Sequence, residues 1–202
     1  MPISLIKGEN VDFQKDNGIK IDTICIGINW GAIDKQGFFG PKKVNVDLDA
    51  TVVTFDKNNN MIEIVYYSNL KSHDGAIIHS GDDKTGDKHG NDGLDNEIIS
   101  VDFNKLDEKT DKIVIILNSY KGQDFPTIPF ATMRVYEGQP NKPEKIHFSY
   151  NVSGDPKFAE YVSMIMGKIY RLNSGWKIQA IGEPTKDKTI KTTIRTIIEK
   201  YL

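Results

Sequence analysis

Residues 44–52 read Val-Asn-Val-Asp-Leu-Asp-Ala-Thr-Val, and no feature of the chain constrains its fold more. Val44, Val46, Leu48, Ala50 and Val52 are apolar, while Asn45, Asp47, Asp49 and Thr51 are polar. A period of two belongs to a pleated strand, whose successive side chains point to opposite faces. A helix would scatter the same residues around its circumference. The segment therefore has one face to bury and another that carries two carboxylates. Asp47 and Asp49 project the same way, about 7 Å apart along the backbone. Aspartate and asparagine are poor strand formers, and like charges on one face repel. Either that face is solvated or something on it compensates the charge.

Runs of the same kind recur along the chain. Segments 19–30, 44–55, 61–67, 98–103, 112–117, 131–136 and 145–150 are rich in valine, isoleucine, tyrosine and phenylalanine, the residues that pleated half-buried surfaces favour. Turn-forming clusters at 56–60, 138–140 and 153–156 separate them. Segment 161–172 fits helix or strand, but Asn173-Ser174-Gly175 followed by 176–181 reads as a hairpin and favours strand. The tail differs: Ile190, Ile194, Ile197, Ile198 and Tyr201 recur at helical spacing and predict a helix within about 186–202. Many short strands with turn signals predict a mainly β fold, a β-sandwich of two antiparallel or mixed sheets with a short C-terminal helix. No repeat, heptad run or linker divides the 202 residues, so a single domain over 1–202 is expected.

Charge and cysteine content narrow the function. With 26 basic and 28 acidic residues, the net charge of -2 gives no global field for nucleic acid or an anionic membrane. Cys25 is the only cysteine and lies in an apolar run, which suits a buried structural thiol and allows no internal disulfide. No signal peptide is evident at the start, and no apolar stretch is long enough to span a membrane, so a cytoplasmic location is expected. Trp30 and Trp176 read as core, and His147, between Ile146 and Phe148, as a strand-surface residue.

Charge concentrates instead in one loop. Gly81 to Glu97 holds six acids, Asp82, Asp83, Asp87, Asp92, Asp95 and Glu97, opposed only by Lys84 and Lys88. Gly81, Gly86, Gly90 and Gly93 let the backbone turn tightly enough to aim carbonyls inward. Two carboxylates about 4 Å apart repel by roughly 4 kcal/mol at an effective dielectric of about 20. A folded cluster of this kind needs a cation or full solvation, and a disordered acidic linker is the other reading of the loop. Calcium suits the donors, because it takes six to eight oxygens in flexible geometry. Magnesium is stricter and fits less well. Zinc prefers cysteine or histidine, and His79 and His89 have no local partner. The EF-hand spacing is absent from both Asp83 and Asp87 as starting points. So are the phosphate-binding P-loop and the nucleophile-elbow motif.

Three stretches occur in order, Val46-Asp47-Leu48-Asp49-Ala50, Tyr66-Tyr67-Ser68-Asn69-Leu70-Lys71-Ser72-His73-Asp74-Gly75 and His79-Ser80-Gly81-Asp82-Asp83-Lys84-Thr85-Gly86. Together they resemble the TerD family of tellurium-resistance and stress-response proteins. The opening Ser4-Leu5-Ile6-Lys7-Gly8-Glu9-Asn10-Val11, Asp111-Lys112-Ile113-Val114-Ile115 and Gly175-Trp176-Lys177 fall where that family has similar segments. The likeness runs from about Ser4 to Gly182. It implies a two-sheet β-sandwich, calcium held by acidic side chains in loops at one end, more than one ion, and a role in tolerance to tellurite and other stresses. It also implies that Asp47, Asp49 and Asn69 sit near the metal with Asp82 and Asp83, and that Asp92, Asp95, Asn96 and Glu97 complete the site. One departure stands out. After Thr85-Gly86 the loop runs longer than the commoner family form and carries Lys88 and His89.

The expectation is therefore a non-enzymatic, calcium-binding stress-response protein. Asp47 and Asp49 supply a fixed pair of carboxylates, while Asp82, Asp83, Asp87, Asp92, Asp95, Asn96 and Glu97 close over the ion and Asn69 stands nearby. Calcium orders the loop, which presents a surface to protein partners of a stress-response complex. Two rivals use the same acids: a metal-dependent phosphoester hydrolase, and an acidic interaction module that needs no metal.

Overall fold

The computed structural model describes residues 10–12, 21–38, 40–172 and 175–202. Its strands are β1 (Asn10–Asp12), β2 (Thr23–Trp30), β3 (Ile33–Gly37), β4 (Gly40–Val44), β5 (Leu48–Phe55), β6 (Met61–Val65), β7 (Ile77–His79), β8 (Glu97–Asp102), β9 (Lys112–Ser119), β10 (Ala131–Gln139), β11 (Lys142–Asn151), β12 (Ser163–Leu172) and β13 (Gly175–Thr185). One α-helix, α1 (Ile190–Lys200), follows. A six-stranded sheet runs β1-β13-β12-β9-β5-β6, and a five-stranded sheet runs β11-β10-β2-β8-β7. All the ladders between these strands are antiparallel. The fold is a mainly β sandwich, as the alternating runs predict.

Alternation assigns the faces. On β5 the even residues Leu48, Ala50 and Val52 enter the core between the sheets, beside Ile113, Ile115 and Leu117 of β9 and Ile24, Ile26 and Ile28 of β2. The odd residues of β5 face away, where Val53 and Phe55 join Val114, Ile116, Ile165 and Ile181 in a second apolar layer. Helix α1 covers that layer with Ile194 and Ile197. Burying each such isoleucine contributes about 1.5–3 kcal/mol. Thr189 starts the helix as its N-cap, and the reciprocal bonds between Thr189 and Thr192 form a capping box.

The structure departs from the sequence reading in several places. Segment 44–55 is two strands: β4 ends at Val44 and β5 begins at Leu48, so Asp47 precedes its strand. Residues 19 and 20 lie outside those described, and β2 begins at Thr23. The hairpin β3–β4 was not expected, because its residues are mostly polar and exposed and leave no apolar alternation to read. Strands β1 and β7 have three residues each, too few for a period. His147 is buried rather than on the strand surface, with Nε2 3.0 Å from Glu137 Oε1. Its burial holds the imidazole below its ordinary pKa, against the pull of Glu137. Cys25 is buried, as expected, against Ile98 and Tyr136.

Candidate metal centre

Strand β6 pairs with β5 along Val52–Phe55, so the first half of β5 has an edge that no strand among the described residues covers. Glu97, the first residue of β8, crosses from the opposite sheet to fill that gap. Its Oε2 accepts the Ala50 N–H at 2.9 Å, and its Oε1 accepts the Asp83 N–H at 3.2 Å. Glu97 is fully buried, and so is its neighbour His79, whose Nε2 lies 3.4 Å from Oε2. Burial pushes the Glu97 carboxyl above its usual range, although His79 and the two N–H groups oppose the shift. One buried side chain thus ties the acidic loop to the strand that carries Asp49.

Beside this tie the structure gathers Asp47, Asp49 and Asp82, each offering a carboxylate oxygen within 4.8 Å of the others. Asp47 is held although it precedes β5, because its carbonyl accepts the Tyr120 N–H at 2.9 Å and so continues the β5–β9 alignment. Asp47 and Asp49 are buried, and Asp82 reaches in from the exposed loop. Two lysines stand against the three acids. Lys121 Nζ lies 3.2 Å from Asp47 Oδ2, and Lys84 Nζ lies 3.2 Å from Asp82 Oδ2. No hydrogen bond among the described residues reaches the Asp49 carboxylate. Burial, then the charges of Glu97, Asp47 and Asp82, push its pKa up to about 8, against a smaller opposing effect of Lys121. The three acids, Lys84, Tyr67 and Tyr120 line a recess of about 80 Å³.

A second group forms deeper in the loop. Asn96 Nδ2 donates to Asp83 Oδ2 at 3.1 Å and to Asp87 Oδ1 at 3.0 Å, and Asn29 Nδ2 donates to Asp87 Oδ2 at 3.3 Å. Asn29 also donates to the Leu94 carbonyl. Burial alone would raise the Asp83 carboxyl, but the N–H and hydroxyl of Thr85, the Asn96 amide and the Gly86 N–H outweigh it and hold the pKa low. Asp87 docks the loop on β2 by exchanging backbone bonds with Trp30 and Ala32 at 2.9 Å each. Gly86 permits this approach: its φ is +67°, and a Cβ there would lie 2.5 Å from Trp30 Cδ1.

The remaining expected residues lie apart from the three-carboxylate cluster. Asp95 is buried against Arg134, with Nε 2.8 Å from Oδ1, and its Oδ2 accepts the Tyr136 hydroxyl at 3.2 Å. Exposed Asp92 turns back on its own loop, accepting the Leu94 N–H at 2.8 Å. Asn69 closes a turn, donating its Nδ2 to the Ile64 carbonyl at 2.7 Å. Sequence reasoning overlooked Tyr67, Tyr120, Lys121 and Asn29 at these groups, because each stands at a position that only the tertiary fold brings in.

The ligand atoms are all oxygens, two of the three carboxylates are buried, and the Asp49 carboxylate accepts no hydrogen bond from the described residues; a hard divalent ion of the calcium type fits this set. Held close together, the bare carboxylates repel by several kcal/mol in total. An ion placed among them would turn that repulsion into attraction and complete its coordination from solvent or a bound oxygen ligand.

Comparison with known proteins agrees with the residues. A family model described as the TerD domain matches residues 1–201. Stress response protein SCP2 of Bacillus subtilis (strain 168) is 34% identical over 213 residues, covering 100% of each chain. Tellurium resistance protein TerZ of Serratia marcescens is 27% identical over 191 residues, covering 93% of each. The crystal structure of a homologue of telluride resistance protein (TerD), SCO6318 from Streptomyces coelicolor A3(2), superposes with a TM-score of 0.67 at 14% identity, covering 85% of this chain and 94% of that one. At that identity the likeness speaks for the fold alone.

Proposed function

The chain belongs to the TerD family, and from that premise we propose that it is a non-enzymatic, calcium-binding stress-response protein. The observation that carries the reading is the meeting of Asp47, Asp49 and Asp82, with oxygens within 4.8 Å of one another, and with Lys84 and Lys121 the lysines ion-paired to them among the described residues. Asp47, Asp49 and Asp82 hold the first ion. Asp83, Asp87 and Asn96, with Asp92 at the rim, supply oxygens for a second once their internal hydrogen bonds rearrange. Glu97 holds the loop to β5 and transmits occupancy of the first site to the loop backbone. Asp95 anchors the end of the loop through Arg134, and Asn69 shapes the turn next to Tyr67. Ion binding orders the segment 81–97, which then presents a surface to a protein partner in the cytoplasm. The names of the similar proteins, which speak of stress response and tellurium resistance, accord with this role.

Calorimetric titration of the metal-free protein with calcium and magnesium tests the proposal. Calcium binding preferred over magnesium is expected, with at least a tenfold loss of affinity in Asp47→Asn/Asp82→Asn. A hundredfold excess of calcium over its dissociation constant stabilises by about 2.7 kcal/mol, or roughly 5–10 °C in melting temperature for a chain of this size. Absence of binding heat, with melting indifferent to chelator, refutes it.

A further inference from the structure

The acidic cluster opens sideways into a larger recess of about 340 Å³, lined among others by Asp49, Asn118, Tyr67, Tyr120, Lys188 and Lys191. That volume lies at the small end of ligand sites. Its floor is a polar row that crosses the sheet. Asp49 of β5 is the register partner of Asn118 of β9, which is the partner of Ser163 of β12. Asn118 Nδ2 donates to Ser163 Oγ at 2.9 Å, Ser163 Oγ meets Thr193 Oγ1 at 3.1 Å, and Thr193 Oγ1 donates to the Thr189 carbonyl at 3.1 Å. The row thus runs from the carboxylates into the first turn of α1.

The row is incomplete at Asn118. This residue is 7% exposed, and its Oδ1 has no hydrogen-bond partner among the described residues. Whichever way the amide is turned, Ser163 meets only one of its two polar atoms. A buried polar atom left without a partner costs about 1–3 kcal/mol, and a ligand donor in the recess, such as the O–H of a protonated phosphate, would remove that cost. The opposite wall has the reverse character. Lys188 and Lys191 are exposed at the start of α1, where the first N–H groups of the helix lack intrahelical acceptors and the helix dipole favours an anion. Because Thr189 Oγ1 takes the Thr192 N–H, those of Ile190 and Lys191 stay available.

Floor and rim of one recess therefore ask for different charges. A lone anion would meet Asp49, and a lone cation would meet two lysines. A phosphate bound to a divalent ion satisfies both ends at once. We propose that this recess binds a small phosphate-bearing molecule, which coordinates the cation held by Asp47, Asp49 and Asp82, pairs with Lys188 and Lys191, and rests against the Tyr67–Tyr120 pair, whose rings meet edge to face at 5.9 Å. The inference rests on the metal reading above and names the ligand that completes that site.

The test is calorimetric titration of the calcium-saturated full chain with two probes, inorganic phosphate and phenyl phosphate, repeated in chelator and with Lys188→Gln/Lys191→Gln. Both lysines are exposed, so the variant keeps the fold, and far-ultraviolet circular dichroism checks it. The expected result is probe binding that vanishes in chelator and weakens at least tenfold in the variant, while calcium affinity without phosphate stays within threefold of the parent. Tighter binding of phenyl phosphate assigns the site to a phosphate ester, and tighter binding of inorganic phosphate assigns it to the free ion; either supports the proposal. Calcium binding without probe binding, or probe binding indifferent to the lysines or to chelator, overturns this inference alone. Failure of the parent protein to bind calcium overturns the metal reading and this inference with it.

Discussion

Asp49→Asn is expected to stabilise the calcium-free protein and to weaken the calcium-loaded one, so that the sign of a single substitution depends on the ion. Asp49 has carboxylate oxygens of Asp47 and Asp82 within 4.8 Å, and each pair at that distance repels by about 3.5 kcal/mol at an effective dielectric of about 20. Lys121 and Lys84, each 3.2 Å from one of the other acids, offset part of this. Above pH 8, where the folded carboxyl is ionised, a net gain of about 2 kcal/mol on removing the Asp49 charge is expected, or roughly 4–8 °C in melting temperature. With calcium in hundredfold excess the parent gains about 2.7 kcal/mol that the variant loses. Acidity sharpens the test. The folded pKa of about 8 stands above the ordinary 3.8, so the folded metal-free protein keeps a proton that the unfolded chain has lost between those values. Stability from this group is complete below about pH 4 and declines as pH rises, by at most about 1.4 kcal/mol per unit, until it levels off above pH 8. The advantage of the variant in chelator should therefore be larger at pH 8.5 than at pH 5. Thermal melts of both proteins at these two pH values, with calcium and with chelator, give every comparison. A variant that is destabilised equally in calcium and in chelator, with an unchanged pH slope, refutes the reasoning.

Two further substitutions probe the loop. Arg134→Met strands the buried Asp95 carboxylate, which should cost about 3–5 kcal/mol in urea unfolding, yet leave calcium affinity within about threefold because the pair lies apart from the three-carboxylate cluster; a tenfold loss of affinity would put Asp95 among the ligands. Gly86→Ala must place a Cβ 2.5 Å from buried Trp30 at a φ of +67°, and the combined clash and backbone strain should cost about 3 kcal/mol, whereas unfolding at the parent's urea midpoint would mean that the loop does not dock on Trp30 as described.

How much was legible follows from which interactions are local. The strand at Asp49 could be read because period two is a property of neighbouring residues, and the C-terminal helix because its isoleucines recur every three or four. The hairpin β3–β4 could not, because Lys35, Lys42 and Lys43 point to solvent and its pairing leaves no pattern along the chain. At the site, composition located the acidic loop but gave its acids one shared purpose, whereas the fold divides them. Asp82 turns toward Asp47 and Asp49, Asp83 satisfies the turn at Thr85 and Gly86, and Asp95 neutralises Arg134, which lies 39 residues away. Nothing near Asp95 in sequence announces that cation. The same holds for Lys121 and Asn118, which reach the site only because β9 lies beside β5.

The position of the site follows from the way the outer face of the six-stranded sheet is shared out. Along β5 that face changes from Asp49 and Thr51 to Val53 and Phe55, and along β9 from Asn118 to Ile116 and Val114, so its acidic and apolar ends coincide across the two strands. A single helix can cover only the apolar end, and Ile194 and Ile197 do so. Its N-terminal turn is then carried to the boundary, beside Asp49 and Asn118. The same packing that buries the isoleucines therefore brings Lys188 and Lys191 to the recess that Asp49 lines, while burial is the largest cause of the raised Asp49 pKa. One helix thus closes the apolar layer and sets two lysines on the recess beside the acidic cluster, so the seating of α1 on Ile194 and Ile197 and the charge around that recess are two readings of one packing.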